Sequence, residues 1–123
     1  MELRIQVPKA LLAALNQVYE MEQKLRRNGD PAGMMRNLEK IKDAFSNNES
    51  VGLIYEDPLG QPFKETRTDV EATISGSNTD NLVIVEVIKP IIRAVLRDNP
   101  AEISKVVQKG VVIVESKKEN LIP

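Results

Sequence analysis

The chain has 123 residues, 17 basic and 18 acidic, for a formal net charge of −1. A balance this even argues against a nucleic-acid binder, whose phosphate contacts call for a basic excess gathered on one face. There is no Cys and no His, which excludes disulfide scaffolds, thiolate nucleophiles, hydrolytic triads and zinc chemistry.

Apolar residues make up 41% of the chain and aromatic ones only 3%, so the core is aliphatic and modest. Small aliphatic cores sit near the margin of stability, and burying further surface in an oligomer is a common remedy. The segment Met1 to Pro8 carries no apolar stretch behind a basic start, and no run approaches the roughly 18 apolar residues of a membrane span. The expectation is a cytoplasmic protein.

The first helix is predicted to open at Pro8, whose fixed φ suits a first turn. Leu11, Leu12, Leu15, Val18, Tyr19 and Leu25 form its apolar stripe, with Glu20, Glu22, Gln23, Lys24, Arg26 and Arg27 mostly opposite. Asn28-Gly29 reads as its stop. The second helix is predicted from Asp30-Pro31, with Met34, Leu38, Ile41 and Phe45 on one face, widened by Met35 and Ala44. The short link makes the pair an antiparallel hairpin. Its stripe is covered either by a second copy, giving a four-helix bundle, or by the chain's own sheet. Periodicity leaves both open. The Met34-Met35 pair reads either as a soft contact surface or as core filler.

Beyond the connector Asn47 to Ser50 the pattern changes to alternating or β-branched blocks. Strands are expected at 51–55, 68–74, 82–88, 91–96, 103–108 and 111–115, with 61–63 extended. The 82–88 strand is expected to be central. Turns are expected at Asp57-Pro58-Leu59-Gly60 and Asp98-Asn99-Pro100, a loop over 75–81, and a bulge or kink at Gly110. The fold class is therefore α+β: a helical hairpin over residues 1–50, a small antiparallel all-β domain over 51–116, and a frayed tail over 117–123.

Little in this order carries reaction chemistry. Asp69 with Glu71 and Glu56 with Asp57 pair carboxylates, but on a solvated face or in a turn. No Gly-rich phosphate loop occurs. Lys89, Arg93, Arg97, Lys105 and Lys109 form either a stripe for an acidic partner or the ordinary decoration of a half-solvated sheet. The expectation is a binding protein, with no enzyme activity, no cofactor and no metal.

The order of motifs resembles the GrpE family, the nucleotide exchange factors of DnaK-type chaperones. Leu11-Leu12-x-x-Leu15 and Val51-Gly52-Leu53-Ile54 are similar to that family's first helix and its entry into the β domain. Gly60-Gln61-Pro62-Phe63, Thr68-Asp69-Val70-Glu71, the stretch Ile84 to Ile92 and the stretch Lys105 to Val114 are similar to its later segments. The family's Asp-Pro after Phe63 is replaced by Lys64-Glu65, and the His of its next strand by Thr68. The long stalk helix is not seen ahead of the first helix. The resemblance implies a homodimer built on Leu11, Leu15, Val18, Met34, Leu38, Ile41 and Phe45. It implies binding to a chaperone's nucleotide-binding domain through Phe63, Glu65, Ile88, Lys89 and Lys105, and a role in protein folding and the stress response. The rival expectation is an adaptor that keeps this fold for another protein partner.

Overall fold

A computed structural model describes residues 5–48, 51–97 and 102–117. The expected turn Asp98-Asn99-Pro100, part of the 47–50 connector and most of the 117–123 tail lie outside the described residues. Helix α1 runs Lys9–Asn28. Pro8 has no N–H to leave unsatisfied and accepts the Leu11 N–H at 3.0 Å. The helix ends where Gly29 turns to φ 85° and its N–H reaches the Leu25 carbonyl at 2.9 Å. Arg26 and Arg27 occupy the last turn, where the dipole favours cations. No helix among the described residues is long and apolar enough to cross a membrane.

Helix α2 runs Met35–Ser46, one turn later than Asp30-Pro31 suggests. Gly33, at φ 71°, keeps residues 31–33 in a turn. The Asp30 carboxylate reaches across it, accepting the Met34 N–H at 2.6 Å and the Met35 N–H at 2.8 Å. Two orphan donors of the helix start are thus satisfied from outside the helix. Asp30→Ala is expected to cost about 1 kcal/mol, read as a lowered urea midpoint with an unchanged slope.

Six strands follow among the described residues: β1 Val51–Glu56, β2 Val70–Ser75, β3 Leu82–Lys89, β4 Ile91–Leu96, β5 Ile103–Gln108 and β6 Gly110–Ser116. The architecture is α+β, two helices and then two small sheets. The chain divides into two compact units, Met1–Glu56 with Ile92–Gln108, and Asp57–Ile91 with Lys109–Pro123.

The first unit holds both helices and the sheet β1-β4-β5. Leu15, Val18 and Leu38 from the helices pack with Leu53, Ile92 and Ala94 from the strands in one buried cluster. This corrects the expected division at residue 50, because three of the strands join the helices. The physical reason is the wide helical stripe, which needs an apolar sheet face to close over it. The residues expected at a dimer interface divide by their burial within the chain. Leu15, Val18 and Leu38 are consumed within the chain, whereas Leu11, Met34 and Ile41 stay exposed and Phe45 is half-buried. Met35 packs against the core while Met34 points to solvent, so the pair divides between the two readings.

The second unit holds the sheet β2-β6-β3. β3 and β6 are antiparallel, but β2 and β6 are parallel, from Val70 beside Gly110 to Ser75 beside Glu115. The sheet is therefore mixed, not antiparallel throughout. β2 and β6 are not joined by a hairpin, so the long connection between them permits the parallel pairing. β6, not β3, is the central strand, and its Val112 and Val114 are buried with Val70, Leu82 and Ile84. Gly110 opens β6 where a Cβ would come 3.0 Å from Ile91 Cγ1 and 3.2 Å from Val70 Cγ1, a close approach of chains.

Candidate protein-binding surface

The second unit builds its surface around β3. Asp57 accepts the Leu59 N–H at 3.0 Å through its own side chain, and Gly60 follows at φ 84°, which closes the expected turn. The next residues lie along the outer side of β3. The Gly60 N–H donates to the Ile84 carbonyl, the Ile84 N–H to Gln61, and the Phe63 N–H to Leu82, each at 2.9 Å. This pairing anchors Phe63 and Glu65 beside the start of β3. Phe63 is half-buried and Glu65 exposed.

Further along β3 the register with β6 slips twice. Ile84 faces Val114 and Glu86 faces Ile113, leaving Val85 as an extra residue. Val87 faces Val112 and Lys89 faces Val111, leaving Ile88 as another. Each β-bulge ejects one side chain from the pleat and bends the strand. Strict alternation puts Ile88 on the face of buried Leu82 and Ile84. The bulges intervene, and Ile88 is 51% exposed and Val85 43%. Exposed Ile88 therefore stands next to exposed Lys89, with exposed Val85 four residues back from Lys89 on the same hydrogen-bonded strand. Ile88 lies six residues beyond Leu82, so the Phe63 end and the Ile88 end of β3 are about 20 Å apart by strand rise.

Four of the five expected partner-binding residues, Phe63, Glu65, Ile88 and Lys89, thus belong to the second unit and lie at opposite ends of one strand. Lys105 is an exposed residue of β5, in the first unit. The expected basic stripe is likewise divided. Arg93 is ion-paired with Glu56, and Arg97 reaches the Asn48 carbonyl at 3.4 Å, both in the first unit. Lys89 and Lys109 belong to the second.

Neither carboxylate pair is left as a pair of free acids. Asp69 takes a two-point contact from Arg67, at 2.6 Å from Nε and 3.2 Å from Nη2. Glu56 is engaged by Arg93. Among the described residues no group of three or more acidic side chains is placed to hold a metal ion.

Glu22 of α1 departs from the sequence reading. Helical spacing assigned it to the solvated face, yet it is 3% exposed. Its Oε1 accepts the Tyr55 hydroxyl at 2.7 Å, and its Oε2 accepts Lys42 Nζ at 3.1 Å, with Arg26 at 3.5 Å. Tyr19 meets the Tyr55 ring edge-on at 5.5 Å, and Lys42 Nζ lies 4.9 Å over that ring. Burial alone raises the Glu22 carboxyl. The hydrogen bonds from Tyr55 and Lys42, with the charges of Lys42 and Arg26, outweigh burial and leave it below its usual 4.5. Burial, and then the Glu22 hydrogen bond, push the Tyr55 hydroxyl far above its ordinary value. The available signal was position, because Glu22 follows Leu15, Val18 and Tyr19 on the stripe at the i+3 and i+4 steps.

No protein-family model, curated protein or solved structure matches the chain.

Proposed function

We propose that the chain is a GrpE-like co-chaperone that binds the nucleotide-binding domain of a DnaK-type chaperone and promotes nucleotide release. The observation that carries this reading is the doubly bulged strand β3, which holds Val85 and Ile88 out to solvent, Ile88 next to Lys89. A factor of this kind needs no reacting group. It needs a rigid surface with a few apolar anchors and a complementary charge, which favours the open form of its partner over the closed one. The helices form an antiparallel hairpin in this reading, and a homodimer uses their exposed Leu11, Met34 and Ile41. One observation favours the rival reading, an adaptor for another protein partner. Leu15, Val18 and Leu38 are committed to the chain's own sheet, which narrows the surface left for a four-helix bundle.

The test uses a DnaK-type chaperone of the same organism, preloaded with a fluorescent nucleotide. The protein is expected to accelerate release, and Ile88→Glu to reduce that acceleration at least tenfold, as loss of a central apolar anchor does. The Tyr19 and Tyr55 spectrum is expected to stay the same. Release unchanged at saturating protein abandons the exchange reading in favour of the adaptor.

A further inference from the structure

In the second unit β2 is an edge strand: β6 lies along one side, and among the described residues no strand lies along the other. The Asp69 carbonyl accepts the Gly110 N–H at 3.0 Å, which fixes the way the chain faces as it enters β2. Alternation then turns the backbone groups of Glu71, Thr73 and Ser75 toward β6 and those of Val70, Ala72 and Ile74 outward. Among the described residues these outward N–H and C=O groups have no backbone partner.

Free edges are ordinarily blunted by Pro, Lys or a bulge. In the same sheet β3 is bulged, and the segment 60–63 covers its start. β2 has six residues in unbroken register with neither Pro nor Lys, and its one charge is Glu71 on the exposed face. Val70 is buried on the apolar face, yet Ile74 on that face is 41% exposed. With Phe63 and Leu82, Ile74 lines a cavity of about 470 Å³ where the end of β2 meets the start of β3.

We propose that β2 pairs antiparallel with β2 of a second copy about a two-fold axis at Ala72, joining two three-stranded sheets into one. Antiparallel pairing sets outward-facing residues opposite outward-facing residues, so the axis falls at a residue and not between two. An axis at Glu71 puts the two Glu71 carboxylates directly opposite each other, which like charges disfavour. One at Thr73 puts Val70 opposite the partner's Gly76, which has already left the strand at φ 91°. At Ala72 the choices agree. Val70 meets the partner's Ile74, Ala72 meets its own copy, and Glu71 meets the partner's Thr73. The three outward residues each find hydrogen-bonding partners, and Ile74 gains an apolar neighbour. This isologous contact uses none of Leu11, Met34 and Ile41 and does not rest on the exchange reading.

The experiment is NMR on the full chain alone, so its outcome is independent of exchange activity. Two six-residue edges bury less than a standard interface, so association is expected to be weak and to grow with concentration. In a mixture of differently labelled chains, an Overhauser contact is expected between Glu71 Hα of one copy and Thr73 Hα of the other, the close non-hydrogen-bonded pair. Thr73→Glu sets a like charge opposite Glu71 and is expected to raise the dissociation constant about fivefold, whereas Thr73→Lys is expected to lower it about fivefold. Thr73 is exposed, so both variants are expected to keep the Ile84 and Val114 methyl resonances in place. Thr79→Lys, the same charge change outside the strand, is expected to leave the constant unchanged. No association, no contact between copies, or both Thr73 variants moving the constant in one direction overturns the proposal. Association that Leu11→Glu abolishes and the Thr73 variants leave unchanged overturns it in favour of pairing through the helices.

Discussion

Glu22→Ala is expected to lower the stability of the helical unit by about 3 kcal/mol, and Glu22→Gln by about 1 kcal/mol. Alanine removes both acceptors, leaves the Tyr55 hydroxyl without its 2.7 Å partner, and opens a void between α1 and β1. Glutamine keeps the shape and one acceptor, and loses the second acceptor together with the charge that Lys42 and Arg26 answer. The wild-type chain also carries a pH dependence that neither variant shares. The Glu22 carboxyl is held below 4.5 when folded and titrates near its usual value when unfolded. Its contribution is therefore fully present above that unfolded value and is lost as pH falls through the lower folded one. Glu22→Gln is expected to flatten this part of the acid limb in urea titrations at a series of pH values. The chain's two tyrosines, Tyr19 and Tyr55, both belong to the helical unit, so tyrosine fluorescence reports on that unit alone. An acid limb unchanged in Glu22→Gln shows that the carboxylate contributes nothing specific.

The same residue marks the limit of what the sequence makes legible. Helix positions followed from the 3.6-residue period, and α1 begins and ends where Pro8 and Gly29 place it. Strand positions followed from β-branched runs and from the turn at residues 57–60. Partnership did not follow, because Val51–Glu56, Ile91–Leu96 and Gly110–Ser116 look alike locally. Which sheet each joins depends on contacts far apart in sequence. The bulges at Val85 and Ile88 were hidden for the same reason, since they exist only relative to β6. Of the expected surface, Ile88 and Lys89 were legible as strand-end residues, and the cavity beside Phe63 was not. It arises where two strand ends meet.

Gly52 is a strand residue with no need of left-handed backbone, and its surroundings supply the reason for glycine there. A Cβ there would overlap the Ser46 carbonyl oxygen and lie 2.8 Å from Arg97 Nη1. Arg97 is a long, exposed side chain that can swing away, but the Ser46 carbonyl is backbone at the end of α2, so the helix end or the strand must shift. Both positions next to Gly52 carry side chains packed in or against the core, Val51 and Leu53, so a shift of the strand disturbs that packing. Gly52→Ala is therefore expected to cost about 3 kcal/mol, at the upper end for an overpacked site, and to appear as an early tyrosine transition in urea. Gly60 supplies the contrast. At φ 84° with nothing within 4 Å of its would-be Cβ, Gly60→Ala meets only backbone strain of about 1 kcal/mol. It also lies in the other unit and is expected to leave the tyrosine transition where it is. Equal effects of the two substitutions on that transition sink the argument, because close approach of Ser46 would then not be what requires glycine at position 52.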